Sequence, residues 1–540
     1  MTPVFPPKNQ LSNVDAAWLH MEDPTNLMMV SGIMTFDGPI DFDVFKQLIQ
    51  HRLLKFDRFR QRVGHAKFPY NASYWEDDPN FELSAHVRHI GLPAPGDQPT
   101  LQRFCGELAS SPLDFSKPLW QIHLIDNYGD AGCAVMCRFH HAIADGIALM
   151  FVFLSITDFT PDAPIIREED DKKKKKSRGL IGNLYKQTND MIKTSRKLAQ
   201  KAVKESLNVM TNPARMLDFA KLGGDGAMSA ARLIFRTPDP QTLFKGPLGV
   251  SKSVAWTKPI MLKDVKAIRK VTDGTVNDVL LTAMTGALRR YLIEQGEDVD
   301  GLNFRAAIPV NLRGPEEMGE LGNKFGLVFL SLPVGIEDTF DRLQELKKRM
   351  NALKGSTEAV VAFGILNAVG MTTGEIHRII VNMFGAKVTA VMTNVPGPPM
   401  PLYFGGQEIK EVMFWVPQSG RVGLGISILS YAGKVFMGVI TDTGIVPNPT
   451  SIVDHFYDEF DVLQDLVRQT ETPEPQSTKP ESVTPSQKPA LTPTATIPSP
   501  DQCQALTKSG RQCRNRAQAD SPFCHIHEPE PEAETETESA

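Results

Sequence analysis

The segment that most restricts the fold runs from Ala134 to Leu154. Ala134-Val135-Met136-Cys137 is an apolar run, Arg138-Phe139-His140-His141-Ala142-Ile143-Ala144-Asp145-Gly146 follows it, and Gly146 to Leu154 reads as a buried helix. The two histidines therefore fall at a strand-to-helix junction, where sites in α/β folds gather. A histidine at a strand end can accept a proton in a transfer reaction, and Asp145-Gly146 supplies a sharp turn and a polar anchor to hold it. The same residues suit a hydrogen-bonded core pair beside a common turn. Of the two, His141, nearer the turn, is the candidate base; His140 is a packing or orienting neighbour.

At 540 residues the chain exceeds one simple core and predicts two or three domains with linkers. Helical spacing over Phe42–Leu54 and strand patterns over Val30–Phe36 and Gln121–Asp126 predict a first α/β domain, 1–165. A second, 237–469, is predicted from a long apolar helix, Val276–Leu292, and strands at Phe304–Val310, Gly326–Leu332, Gly423–Ser430 and Val435–Ile440. Two domains of similar class invite a site at their interface.

Between them, 166–236 reads as a basic helical crossover. Residues 172–204 hold twelve Lys or Arg against one acid, a local net charge of +11 in a chain whose net charge is −5. This suits a solvated linker, and equally a helix lying on an anionic membrane or lipid-droplet surface with Leu180, Ile181, Leu184, Tyr185 and Ile192 turned inward. The small overall charge gives no reason to expect a nucleic-acid partner. The opening Met1-Thr2-Pro3-Val4-Phe5 lacks a signal-peptide pattern and no apolar segment is long enough to span a bilayer, so a cytoplasmic, at most peripherally attached, protein is expected. Cys105, Cys133 and Cys137 fit small buried hydrophobes in a reducing compartment.

Four further motifs accompany the histidines: Pro118-Leu119-Trp120, Asn277-Asp278-Val279, Gly322-Asn323-Lys324-Phe325-Gly326 and Asn394-Val395-Pro396-Gly397-Pro398. Singly, each has a local explanation: a buried aromatic ending a loop, a helix N-cap at Asn277, a rigid proline turn. In this order, with Leu11-Ser12-Asn13-Val14-Asp15-Ala16 near the start, they closely resemble the bacterial wax ester synthase/acyl-CoA:diacylglycerol acyltransferase family over roughly residues 8–467. His-His-x-x-x-Asp-Gly alone is shared with chloramphenicol acetyltransferases and peptide-synthetase condensation domains; the other motifs together indicate the wax synthase branch.

The resemblance implies two chloramphenicol-acetyltransferase-like α/β domains with a tunnel at their interface. Acyl-CoA and a diacylglycerol or long-chain fatty alcohol would be the substrates, with no catalytic cofactor. It assigns the base to His141 with His140 beside it, gives Asp145 and Gly146 a structural part, and brings Asn277 and Asp278 from the second domain. Asn277 or a backbone amide is the expected oxyanion donor. Asp145 is expected to pin its loop, to an arginine, and not to contact the imidazole. Two other classes remain: a condensation-type enzyme fed by a carrier protein, weakened by the lack of a legible carrier domain, and a non-catalytic lipid-binding protein.

Residues 470–500 are rich in Pro, Thr and Ser and predict disorder. In 501–527, Cys503, Cys513, Cys524 and His527, spaced C-x9-C-x10-C-x2-H, form a complete ligand set for a small structural zinc site, with His525 an alternative ligand. The same residues also suit free thiols in a disordered tail. The closing 528–540 is an acidic, solvated tail.

Overall fold

The structure, a computed structural model, describes residues 9–65, 73–167, 233 and 235–471, apart from 315, 316, 318, 355, 372, 373, 418 and 419. The basic stretch 172–204, residues 472–500, the Cys503, Cys513, Cys524 and His527 set and the acidic tail lie outside the described residues.

The strands are β1 (Met29–Phe36), β2 (Gln61–His65), β3 (Ser73–Asp77), β4 (Val87–Gly91), β5 (Trp120–Tyr128), β6 (Gly132–His140), β7 (Lys252–Trp256), β8 (Ile260–Met261), β9 (Phe304–Asn311), β10 (Phe325–Leu332), β11 (Ala390–Pro396), β12 (Tyr403–Phe404), β13 (Gln407–Glu408), β14 (Glu411–Trp415), β15 (Leu424–Tyr431) and β16 (Lys434–Asp442). The helices are α1 (Asn13–Met21), α2 (Phe42–Leu48), α3 (Gln98–Ala109), α4 (Gly146–Ile156), α5 (Leu262–Thr272), α6 (Val276–Glu294), α7 (Thr339–Lys354), α8 (Glu358–Val369), α9 (Gly374–Gly385) and α10 (Pro449–Glu471). The helix expected over Phe42–Leu54 is real only to Leu48. It then widens into a π turn, Ile49–Leu53, which no apolar periodicity announces.

One sheet runs β14-β1-β6-β5-β4, the other β10-β9-β11-β15-β16-β7 with β8 beside β16. The first sheet is completed by β14, whose Trp415 pairs with Ser31 and Glu411 with Thr35, although β14 lies within 237–469. The second half thus lends a strand to the first sheet, and the described residues pack as one compact unit. Alternation sorts the second sheet's faces: Phe304, Ala306, Leu330, Leu332, Ala390 and Met392 join a core with α6 and α10, while Ala307, Phe329 and Val391 face the other way. That other face, covered by α8, borders the functional cavity.

Candidate active site

His140 closes β6 and is fully buried. Its backbone N–H donates to Leu119 O (3.0 Å), and that of His141 to Met28 O (2.7 Å), so the junction is clamped between the Pro118-Leu119-Trp120 segment and the entry to β1. Trp120 itself is core: its Nε1–H donates to Phe59 O (2.9 Å) and its ring stacks on His86. His140 Nδ1 accepts from Ala142 N–H (3.0 Å), which leaves its proton on Nε2, 3.5 Å from Glu22 Oε2. This ring props the turn and does not line the cavity, whereas His141 does.

Asp145-Gly146 is not the sharp turn that the dipeptide suggests. Asp145 is the N-cap of α4, its Oδ1 accepting from Ala148 N–H (3.0 Å), and Gly146 is the first helical residue with an ordinary backbone. A Cβ at Gly146 would meet nothing within 4 Å and would project toward the cavity that Gly146 lines. Asp145 Oδ2 accepts from Arg313 Nε (3.2 Å), Arg313 Nη2 (2.9 Å) and the Lys324 backbone N–H (2.9 Å), so the expected arginine is Arg313. Main-chain bonds from Asp145 N–H to Gly322 O (3.1 Å) and Gly322 N–H to Ile143 O (2.9 Å) close the same seam. Gly322 sits at φ +95°, a conformation L side chains rarely adopt. The β9–β10 loop is thereby fastened onto the histidine turn.

That loop carries the residue that the sequence did not single out, Asn323. Its Nδ2 donates to His141 O (2.7 Å) and to Asp15 Oδ1 (2.8 Å), which fixes the orientation of the amide. Its Oδ1, 2.8 Å from His141 Nδ1, must then accept, so Nδ1 carries the proton and Nε2 the lone pair. Trp18 of α1 stacks on the His141 ring at 4.1 Å and Phe325 leans on it at 5.6 Å. Burial among these groups pushes the His141 pKa well below its ordinary value, only partly countered by the Asp145 charge and the Asn323 hydrogen bond. The imidazole is neutral, as a proton acceptor needs to be.

From the second half, Thr275 caps α6, with its side chain accepting from Asp278 N–H (3.2 Å) and Asp278 Oδ2 accepting from Thr275 N–H (2.8 Å). Asp278 is thus turned back into a capping box and does not reach the cavity, contrary to the expectation that it approaches with Asn277; nor is Asn277 the N-cap. Asn277 does line the cavity, and Asn394 Nδ2 donates to its Oδ1, joining two of the motifs.

His141, Gly146, Asn277 and Asn394 share one cavity of about 900 Å³. Its walls are largely apolar, with Phe151 and Leu154 of α4, Ile308, Phe329, Ile365 and Leu366 of α8, Phe384 of α9 and Val391. A volume and lining of this kind suit long aliphatic chains better than a polar metabolite. Cys105, Cys133 and Cys137 are buried free thiols outside it; burial raises the Cys133 and Cys137 pKa values to about 12, so neither supplies a thiolate nucleophile. Among the described residues no helix is long and apolar enough to cross a membrane.

The catalytic-domain model of the wax ester synthase/diacylglycerol acyltransferase family matches residues 11–280, and the model of its C-terminal domain residues 321–464. A Mycobacterium tuberculosis protein named "Probable diacyglycerol O-acyltransferase tgs1" is 26% identical over 446 residues, spanning 81% of this chain and 92% of its own. A solved wax ester synthase/diacylglycerol acyltransferase from Marinobacter aquaeolei superposes with a TM-score of 0.61 at 21% identity, covering 85% of this chain and all of that one. A trichothecene 15-O-acetyltransferase from Fusarium sporotrichioides shares the fold at a TM-score of 0.55 and 10% identity, over 84% of this chain and 94% of that one.

Proposed function

Because the chain belongs to the wax ester synthase/diacylglycerol acyltransferase family, we propose that it transfers a fatty acyl group from acyl-CoA to a diacylglycerol or a long-chain fatty alcohol, giving triacylglycerol or wax ester. The observation that carries this reading is His141, neutral, held through Nδ1 and set in the wall of an apolar cavity. A hydroxyl is a poor nucleophile at neutral pH. Nε2 takes its proton as the oxygen attacks the thioester carbonyl, an assistance of roughly 10²–10⁴ in rate.

The tetrahedral intermediate collapses with cleavage of the C–S bond, and the imidazolium returns the proton to the departing sulfur. CoA leaves as the thiol and the base is regenerated. The Asn277 amide, oriented by Asn394, is the donor to the developing oxyanion. Asp145 keeps Arg313 and the loop in place and takes no proton. Both substrates meet in one cavity, so direct transfer needs no acyl-enzyme.

The test incubates the protein with palmitoyl-CoA and either hexadecanol or dioleoylglycerol, following free CoA and lipid product, with a palmitoyl-carrier protein as the competing donor. Ester from the CoA donor supports the reading; ester from the carrier alone favours a condensation-type enzyme, and no ester a lipid-binding protein.

In the same reading the cationic stretch 172–204 attaches the enzyme to an anionic membrane or lipid-droplet surface, where each basic residue contributes about 1 kcal/mol. Cys503, Cys513, Cys524 and His527 hold a structural zinc that acyl transfer does not require.

A further inference from the structure

The proton acceptor needs more than a fixed tautomer: when Nε2 takes the proton, a cation forms in a buried site. The carboxylate nearest to it in the chain, Asp145, is already engaged by both Arg313 and the Lys324 amide. Asp15 is differently placed. Its Oδ1 accepts from Asn323 Nδ2 (2.8 Å) and from the Asn323 backbone N–H (3.0 Å), while Asn323 Oδ1 lies 2.8 Å from His141 Nδ1. The three side chains form one buried file, carboxylate to amide to imidazole, assembled from α1, the β9–β10 loop and the end of β6.

Resting on the assignment of His141 as the base, we propose that Asp15 and Asn323 are its positioning pair. Asn323 holds the ring with Nδ1 protonated, and the Asp15 carboxylate, one amide removed, stabilises the imidazolium formed during transfer. Neither residue exchanges its own proton; each acts through the ring.

The local arrangement is specific to this role. Asn323 Nδ2 is shared between Asp15 and His141 O, so a carboxylate at 323 would face two acceptors, and a leucine could bond neither. A Cβ at Gly322 would lie 3.4 Å from Asp15 Oδ2, so the chain passes closely against the carboxylate. Asp15 is set by Ser12, whose Oγ accepts from the Asp15 N–H (3.0 Å). Burial raises its pKa, opposed by the Asn323 and Ser12 hydrogen bonds and by the nearby charge of Arg58. The other charged or titratable groups around the ring are Asp145 with its partner Arg313, Lys324 with Glu317, and His140 with Glu22.

The experiment compares kcat, KM and the pH profile of wild type, Asp15→Asn, Asn323→Asp and the double variant in the full-length protein with palmitoyl-CoA and hexadecanol or dioleoylglycerol, whichever it esterifies. Asp15→Asn, a near-isosteric change, is expected to lower kcat about 10- to 100-fold with KM little changed, taking as a guide the range felt when an outer-shell partner of a metal-bound imidazole is lost. It should also move the acid limb of the profile to lower pH, since a negative charge near the ring is gone. Asn323→Asp, bringing a carboxylate against Nδ1, should move the limb to higher pH, and the double variant should recover part of the kcat lost in Asp15→Asn.

A purely structural role would change the thermal midpoint and leave the limb in place. An unmoved limb in Asp15→Asn overturns the proposal, whether or not Asn323→Asp folds. His141→Ala separates the two layers: if it keeps full activity the base assignment fails, whereas an inactive His141→Ala beside a wild-type-like Asp15→Asn refutes the positioning pair alone.

Discussion

Replacing Asp145 distinguishes an anchor from a catalyst. In Asp145→Ala the α4 cap to Ala148 N–H disappears, which costs about 1 kcal/mol. Arg313, whose side chain is only 3% exposed, keeps its carbonyl acceptors at Glu320 and Gly322 but loses its carboxylate, and breaking a buried ion pair from one side costs about 3–5 kcal/mol. Together these give about 4–6 kcal/mol, a large share of the 5–15 kcal/mol by which folded domains are held. Asp145→Asn keeps a competent cap and an acceptor for the Lys324 amide, and should lose less. Adding Arg313→Met to Asp145→Ala should recover stability, because the buried cation that lost its carboxylate is removed. Urea unfolding and acyl transfer measured on the same preparations check this: activity should fall in step with stability across the three variants. Full stability with abolished activity in Asp145→Ala would refute the anchoring role and return Asp145 to the chemistry.

Gly146→Val should fold with an unchanged or higher thermal midpoint yet lose most acyl transfer, because its side chain enters open space at the cavity wall; retained activity would contradict this. Since burial lowers the His141 pKa from 6.5, the neutral base persists as pH falls through that value, so kcat/KM should stay flat to below pH 6.5; a limb centred at or above 6.5 would contradict it. Asn277→Ala should reduce kcat about 10²–10³-fold, as loss of one oxyanion donor does, with KM little affected in steady-state assays. Deleting residues 501–540 should remove bound zinc, read by metal analysis, while leaving acyl transfer largely intact.

Much of the scaffold is legible in the sequence because β1, β5, β9, β10, β15 and β16 carry near-continuous or alternating apolar runs, and α4 and α6 carry long apolar ones. The histidine turn and the arginine partner of Asp145 follow from motif and charge. Contacts across long stretches of chain are a different matter. Nothing in Glu411–Trp415 states that it will pair with β1, and the π turn after Leu48 departs from the period that predicts a helix. Asn323 lies in one of the four motifs that accompany the histidines, but its bond to His141 spans 182 residues of chain and becomes visible only when the β9–β10 loop closes on the turn. The resemblance brings Asp278 to the site together with Asn277; one helical step turns it into a cap instead. The Asn394–Asn277 contact was likewise hidden, although both motifs were in view.

Everything proposed for the cavity depends on His141 as the base of an acyl transfer from CoA. Its most direct test is the rate of CoA release and ester formation by wild type and His141→Ala, with palmitoyl-CoA against hexadecanol and dioleoylglycerol, in preparations with matching thermal midpoints. Ester from the wild type and a rate lower by roughly 10²–10⁴ in the variant are expected. Wild-type turnover in His141→Ala, or no ester from the wild type with either acceptor, would contradict it.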